Sequence, residues 1–179
     1  MFDDRYKQLD EIFNLVLDEL DVPSDMLGQA EKRYMELAEW LKADSGKRYR
    51  SDSLLYPQGS MLLGTAIRPV KAEDDYDFDF VYLRDIKKES ISQEELKNQV
   101  GDQLKDYIAD LEKKRAPEIP VLESRNRCWT LRYGTKFHMD VLPALPDEDL
   151  KNEAIIITDK SLHLWQKSNS KGYFIPIAI

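Results

Sequence analysis

Two aspartates alternate with two phenylalanines in the segment YDFDFV, residues 76–81. Successive side chains of a strand point to opposite faces, so Asp77 and Asp79 would share one face while Phe78 and Phe80 share the other. Neighbouring carboxylates repel each other unless a cation lies between them. Mg²⁺ suits this role, because it binds carboxylate and phosphate oxygens and keeps some waters. The pattern predicts a divalent-cation site, although an alternating strand with an acidic outer face is also a common structural feature.

A Gly-Ser pair upstream of this strand is the second feature that could take part in chemistry. We expect Gly59 and Ser60 where an extended segment meets a helix. Glycine allows the backbone to approach a ligand closely, and a helix N-terminus offers free N–H groups and the positive end of a dipole. The pair is therefore a candidate phosphate-binding turn. The alternative is an ordinary serine helix cap.

A third carboxylate, Asp140, lies between two apolar residues in the segment KFHMDVL. On a strand beside the first two aspartates it would complete a site for two metal ions, which hold the attacking and leaving oxygens in phosphoryl transfer. The alternative is a strand residue that points to solvent. His138 shares the predicted face of Asp140, and we expect it to shape the strand rather than to act in the chemistry.

Helices and strands alternate in the pattern that would position these residues. Helical spacing predicts helices over 5–20 and from Ser24 onward, and the capping-box pair Ser92 and Glu95 predicts the start of another. Period-2 alternation predicts a strand over 76–83. Residues 54–58 are predicted to be an extended entry to the core. Further strands are predicted over 119–122, 127–133 and 136–142, and 154–158 is either a short strand or a buried connection.

These elements predict an α+β fold, a mixed sheet flanked by helices. We expect one compact domain, with residues 1–52 as a helical segment that packs on the core and residues 53–179 as the core itself. The length of 179 residues fits this expectation, since a domain has roughly 150 residues.

Composition excludes several classes of protein. The 26 basic and 34 acidic side chains give a net charge of -8, so we expect no long DNA or RNA partner. The single cysteine, Cys128, excludes an intrachain disulfide and a cysteine-based zinc cage. A membrane helix needs about 20 apolar residues in a row, and no apolar run in the sequence is that long. The sequence also has no N-terminal signal segment. We therefore expect a cytoplasmic protein without a membrane partner.

The order of the motifs resembles the DNA polymerase beta-like nucleotidyltransferase superfamily. The segments YPQGSMLLGTAIRP, EDDYDFDFVYL, FHMDVLPALP and LWQKSNSKGY are similar to those of the bacterial CD-NTases, cyclic oligonucleotide synthases related to cyclic GMP–AMP synthase and oligoadenylate synthase. Other branches, such as aminoglycoside and protein nucleotidyltransferases, tend to have a shorter interval between the first two motifs and lack a segment similar to HMDVLPA.

The resemblance implies roles for the acidic residues. Asp77 and Asp79 would bind two Mg²⁺ ions, with Mn²⁺ as an alternative. Asp140 would bind the catalytic ion and assist deprotonation of an attacking ribose hydroxyl. The implied reaction is attack of a 3′- or 2′-hydroxyl on the α-phosphate of a nucleoside triphosphate, with release of pyrophosphate. Its product would be a cyclic or linear oligonucleotide signal in antiphage defence.

The resemblance also implies a seat for the donor nucleotide. Gly59 and Ser60 would hold the triphosphate, with Gln58 beside them. Thr65 and Arg68 would flank the phosphate region in a supporting role.

The sequence departs from the family at its C-terminal end. Family members continue into a helical lobe after S-N-P-K-G-Y, whereas this sequence has Ser170 in place of the proline and loses the resemblance from Phe174. We therefore expect the helical lobe to be largely missing. The apolar end, Ile175 to Ile179, would then offer a surface for a partner or for self-association. Two functions stay open, an active synthase and a truncated module that binds nucleotide or a partner without turnover.

Overall fold

The computed structural model describes residues 2–69, 71, 74–148, 154–159 and 164–169, with side chains from residue 5 onward. The helices are α1 (Phe2–Leu20), α2 (Ser24–Arg48), α3 (Gly59–Leu63) and α4 (Gln93–Lys113), and Lys88–Ser90 forms a 3-10 turn. The strands are β1 (Ser53–Pro57), β2 (Tyr76–Arg84), β3 (Val121–Ser124), β4 (Trp129–Tyr133), β5 (Phe137–Pro146), β6 (Ile155–Ile157) and β7 (Gln166–Ser168). These elements confirm the predicted α+β class.

The strands form one mixed sheet around β5. Strand β2 pairs parallel with one edge of β5, and β1 pairs antiparallel with the outer edge of β2. The other edge of β5 pairs antiparallel with β4 and, through Ala144 to Pro146, with β6. Strands β3 and β7 extend the sheet beyond β4 and β6. Among the described strands, β2 and β5 are the single parallel pair, and they lie at the centre of the sheet.

Helices α2 and α4 cover one face of this sheet. On β2 that face carries Phe78, Phe80 and Tyr82, all fully buried. Phe80 stacks on Tyr34 of α2 with ring centroids 5.0 Å apart, and the Tyr82 hydroxyl lies 2.6 Å from the Ser45 hydroxyl. Removal of these rings from water is a main stabilising contribution of the core. Asp77 and Asp79 alternate with them and so lie on the opposite face.

Helix α4 begins where its sequence predicts. The backbone N–H of Glu95 donates to Ser92 Oγ at 3.2 Å, and the backbone N–H of Ser92 donates to Glu95 Oε2 at 2.9 Å. This reciprocal pair satisfies two backbone donors that a helix start leaves free. The helix then packs a buried apolar stripe against the sheet, formed by Leu96, Val100, Leu104 and Tyr107.

Helix α1 does not pack on the core as expected. Every side chain described in this helix, from residue 5 to residue 20, is exposed although the helix carries an apolar stripe. Pro23 separates α1 from α2, and α1 is tied to the core through its C-terminal end, where the backbone N–H of Arg68 donates to Leu20 O at 2.8 Å. Helix α2, by contrast, buries Leu37 and Leu41 completely.

The later strands differ from the sequence patterns mainly in extent. Strand β5 continues to Pro146 rather than ending near residue 142, because its last residues pair with β6. Within the segment 154–158, Ile155–Ile157 form a strand and not merely a buried connection. Strand β7 has no counterpart among the predicted strands. The apolar end that we expected to bind a partner, Ile175 to Ile179, lies outside the described residues. No helix in the described parts of the chain is long and apolar enough to cross a membrane.

Candidate active site

The parallel pairing of β2 with β5 brings four polar residues together. Asp77 pairs with His138, and Asp79 pairs with Asp140. Because partners in a sheet point to the same face, these side chains form a two-by-two cluster on the face opposite α2 and α4. The three predicted carboxylates therefore share one face and one end of the parallel pair.

The closest set of potential metal ligands in the described residues contains the histidine. One ligand atom from each of Asp77, His138 and Asp140 lies within 4.8 Å of the others. Asp79 lies beside this set, and its electrostatics link it to the same cluster. Burial and the negative charges of Asp77 and Asp140 raise the pKa of Asp79 to about 6, against the opposing charge of His138.

His138 connects Asp77 to a second carboxylate. Its Nε2 lies 3.1 Å from Asp77 Oδ1, and its Nδ1 lies 3.1 Å from Asp75 Oδ2. The contact with Asp77 raises the pKa of His138, burial opposes the rise, and Asp75 adds to it. The imidazole is thus held between two carboxylates, which goes beyond the purely strand-shaping role that we expected from the sequence.

Arg132 on β4 extends this arrangement toward the edge of the sheet. Its guanidinium forms an ion pair with Asp75, and its Nε donates to Glu123 Oε1 at 3.1 Å. Burial raises the pKa of Asp75, but His138 and Arg132 outweigh it, so that pKa lies below its ordinary value. Asp75 therefore stays ionised and presents a negative charge to His138.

Asp140 accepts hydrogen bonds from two side chains, one on β4 and one from the residue that precedes β4. Thr130 Oγ1 donates to Asp140 Oδ1 at 2.5 Å, and Cys128 Sγ donates to Asp140 Oδ2 at 3.1 Å. Burial, the hydrogen bond to Asp140 and the charges of Asp140 and Asp79 raise the pKa of the Cys128 thiol to about 12. The thiol therefore stays protonated near neutral pH and acts as a donor.

The Gly-Ser turn lies directly against the acidic cluster. Gly59 has a φ of +58°, and a Cβ at this position would lie 3.4 Å from Asp79 Oδ2. The backbone N–H of Gln58 donates to Asp79 O at 2.9 Å, which joins the turn to β2. Gln58 is the N-cap residue of α3, so Ser60 is not the helix cap. Gly59 and Ser60 form the first turn of α3, at the junction that we expected.

A cavity of about 360 Å³ opens beside this turn. Its lining includes Ser60, Thr65, Arg68, Asp77 and Asp79. The backbone N–H of Thr65 donates to Ser60 O at 2.9 Å, which closes the C-terminal end of α3. Arg68 Nε donates to Asp21 O at 2.7 Å, so this side chain is held toward the end of α1.

The cluster suits a divalent cation. In the described part of the chain no lysine or arginine forms an ion pair with Asp77, Asp79 or Asp140, whereas His138 contacts Asp77 and its charge opposes the rise in the pKa of Asp79. Close carboxylates without a lysine or arginine partner are oxygen donors of the kind that Mg²⁺ and Mn²⁺ prefer. The raised pKa of Asp79 has the same cause, because like charges around a half-buried carboxyl disfavour its ionised form.

The sequence motifs did not identify the residues that hold the carboxylates in place. Thr130, Cys128, Asp75 and Arg132 received no role from the motifs. A partial signal exists for Thr130, because the predicted strands over 127–133 and 136–142 bring it near Asp140, but the observed pairing of Tyr133 with Phe137 sets it directly opposite. No comparable signal exists for Asp75 and Arg132, whose contact depends on the packing of the loop before β2 against β4.

Comparison with known proteins gives the family. Residues 54–143, half of the chain, match the family described as cyclic GMP-AMP synthase DncV-like, nucleotidyltransferase domain. The chain belongs to this family, as the resemblance predicted. The c-di-GMP synthase of Roseivirga ehrenbergii is 26% identical over 174 residues, which cover 96% of this chain and 44% of that protein. The chain thus spans less than half of the length of this curated relative.

Solved structures confirm the fold. The CD-NTase CdnG of Bradyrhizobium diazoefficiens, in complex with GTP, superposes with a TM-score of 0.64 at 23% identity, over 86% of this chain and 42% of that chain. Apo DncV of Vibrio cholerae superposes with a TM-score of 0.65 at 12% identity, over 87% of this chain and 56% of that chain. The described elements therefore have the fold of these structures.

Proposed function

We propose that this chain carries the catalytic core of a divalent-metal-dependent nucleotidyltransferase that makes a cyclic or linear oligonucleotide. The observation that carries this proposal is the register of β2 on β5, in which Asp79 lies opposite Asp140 with Asp77 on the same face. Membership in the DncV-like family supports the same reaction class. An acidic face produced only by solvent exposure would not require the half-burial and the raised pKa of Asp79.

Asp77, Asp79 and Asp140 would hold two Mg²⁺ ions, or Mn²⁺ in their place. Such ions neutralise the phosphate charge that develops during transfer. The described cluster supports this assignment through its mutual repulsion and its lack of lysine or arginine partners. We also assign to Asp140 a part in taking the proton from the attacking ribose hydroxyl.

The Gly-Ser turn would bind the donor triphosphate. Gly59 leaves room beside Asp79, and the Ser60 hydroxyl lines the same cavity as Asp77 and Asp79. Gln58 would support the turn through its backbone contact with β2. In the proposed step a ribose hydroxyl oxygen forms a bond with the α-phosphorus. The bond from this phosphorus to the oxygen bridging to the β-phosphorus breaks, and pyrophosphate leaves.

A guanine nucleotide is the substrate that we propose first. The curated relative is named a c-di-GMP synthase, and the CdnG structure is described as a complex with GTP. The proposed product would then contain guanylate and act as a signal in antiphage defence, as the family resemblance implies.

Pyrophosphate release by the purified chain tests this function. The chain is incubated with Mg²⁺ or Mn²⁺ and with GTP alone or mixed with ATP, CTP and UTP. We expect release that is lost in Asp77→Asn and Asp79→Asn and kept in Asp85→Asn, the same substitution just beyond the far end of β2. Thermal melts establish that all variants are folded.

Nucleotide binding separates the two functions left open by the sequence. Metal-dependent GTP binding without any pyrophosphate release would favour the non-catalytic binding module. Release that persists undiminished in folded Asp79→Asn would contradict the assigned site.

A further inference from the structure

Asp140 is the one carboxylate of the cluster that receives a described hydrogen-bond donor on each of its oxygens. Thr130 Oγ1 contacts Oδ1 and Cys128 Sγ contacts Oδ2. Both donors come from β4 or the residue before it, so they approach the carboxylate from the same neighbouring strand. A rotation of the carboxylate about its terminal bond would break both hydrogen bonds.

The terminal torsion of an aspartate is otherwise loosely defined, because the preference of an sp³–sp² bond is broad. The hydroxyl of Thr130 is well placed to restrict this torsion in Asp140 to a narrow range. Thr130 is only 1% exposed, and a β-branched side chain has few χ1 rotamers. Its hydroxyl is therefore fixed by packing before any ligand arrives. The Cys128 thiol is a weaker donor, so we expect it to contribute less.

We propose that Thr130 is a positioning residue that orients the Asp140 carboxylate for metal binding, with Cys128 as a second donor. The inference rests on the proposed function, because it assigns the cluster to a divalent cation. It adds residues that neither the motifs nor the family resemblance singled out. Partners that hold a metal-ligating side chain typically change metal affinity by about 10- to 100-fold when they are removed.

Mn²⁺ binding to the nucleotide-free chain tests the proposal, with unbound Mn²⁺ counted by electron paramagnetic resonance. We expect Thr130→Val, which removes the hydroxyl and keeps the branched shape, to weaken Mn²⁺ binding at least about tenfold. Thr130→Ser keeps the donor and should stay closer to the wild type than Thr130→Val. If the function also holds, the metal concentration for half-maximal pyrophosphate release rises in Thr130→Val more than kcat falls.

Thr158→Val is the matched control for the loss of a buried hydroxyl. Thr158 is also 1% exposed, but its Oγ1 donates to the carbonyl of Arg127 rather than to a carboxylate. We expect this variant to keep the Mn²⁺ affinity of the wild type. If Mn²⁺ binding were weakened equally in Thr130→Val and Thr158→Val, the cause would be a general loosening of the sheet, and the proposal would be overturned.

Two further comparisons decide the remaining outcomes. If Thr130→Val does not fold, Cys128→Ala and Cys128→Ser take its place, and the proposal requires weaker Mn²⁺ binding in the alanine variant alone. Asp140→Asn separates this proposal from the proposed function. Wild-type affinity in folded Thr130→Val, together with lost binding in Asp140→Asn, overturns only the positioning role. Absence of Mn²⁺ binding in the wild type overturns both.

Discussion

Asp79 lies opposite Asp140 in the parallel register of β2 and β5, although α4 and the β3–β4 pair separate the two residues along the chain. This pairing places two carboxylates on one face at the centre of the sheet. A third, Asp77, lies two positions before Asp79 on the same face and opposite His138. The acidic cluster is thus a consequence of one strand pairing, and its electrostatic cost should be measurable without any ligand.

The first prediction concerns the pH dependence of stability in the metal-free chain. The pKa of Asp79 is raised from an ordinary 3.8 to about 6 by burial and by Asp77 and Asp140. The folded state therefore binds more protons than the unfolded state in this range, and stability is fully present below pH 3.8 and lost as the pH rises through about 6. Urea unfolding between pH 4 and 6 should detect a loss on the order of 1 kcal/mol.

Asp79→Asn should remove this loss, because an amide does not titrate. Asp85→Asn, which lies away from the cluster, should retain it. Parallel stability curves for the wild type and Asp79→Asn would contradict the electrostatic origin. Saturating Mg²⁺ should also abolish the decline in the wild type, since the cation favours the ionised carboxylate.

The sequence predicted the local half of this site well. Period-2 alternation set Asp77 and Asp79 on one face of β2, and the polar face of β5 included Asp140 and His138. These features are local, because alternation follows from the geometry of a single strand. The hairpin between β4 and β5 sets Thr130 opposite Asp140 through the pairing of Tyr133 with Phe137, whereas the predicted strand ends at 133 and 136 would place Trp129 there.

The parallel register could not be read in the same way. No turn links β2 to β5, and a shift by one residue would turn Asp140 to the opposite face. The register depends instead on the packing of Phe78, Phe80 and Tyr82 under α2 and α4. For the same reason the stripe of α1 indicated a helix but not its packing partner. Strand β7 has only three residues, too few for a recognisable alternation.

The second prediction concerns Gly59. At this position the effect of backbone strain on stability can be measured separately from the effect of a new side chain on ligand binding. Gly59→Ala should cost about 1–2 kcal/mol of stability, because an L-residue is strained at a φ of +58°. It should also weaken Mn²⁺ and GTP binding, since the new methyl group would lie in van der Waals contact with Asp79 Oδ2 and occupy space beside that oxygen. Urea unfolding and Mn²⁺ titration measure the two effects.

Gly64→Ala is the control for this variant. Gly64 also has a positive φ, of +67°, but no atom lies within 4 Å of its Cβ position. The control should therefore lose similar stability and keep its Mn²⁺ affinity. Equal loss of binding in both variants would show that the space beside Asp79 has no role.

The third prediction concerns the protonation of His138. Its contacts with Asp77 and Asp75 keep its pKa above the ordinary 6.5, so its contribution to stability is full below pH 6.5 and is lost as the pH rises through the higher value of the folded state. Asp75→Asn should lower this pKa because it removes one negative partner. NMR titration of the metal-free chain measures it, and His163→Gln distinguishes the two histidine signals. An unchanged pKa in Asp75→Asn would contradict the coupling.

The fourth prediction concerns the contact of α4 with β4. A Cβ at Gly101 would overlap Cζ2 of Trp129. The indole N–H of Trp129 donates to Lys97 O at 2.9 Å. Gly101→Ala must displace this ring, and overpacking of this kind costs about 1–3 kcal/mol. Because Trp129 immediately precedes Thr130 on β4, the displacement should also weaken Mn²⁺ binding.

Gly46→Ala is the control for Gly101→Ala, because it places alanine at another helical glycine and should raise stability rather than lower it. Gly46 is an exposed residue of α2 with no atom within 4 Å of its Cβ position, so alanine should stabilise the chain by up to about 1 kcal/mol. Urea unfolding of both variants, with Mn²⁺ titration of the folded protein, measures the contrast. If Gly101→Ala were as stable as the wild type, the packing of α4 on Trp129 would be looser than the structure indicates, and β4 would not be held from this side.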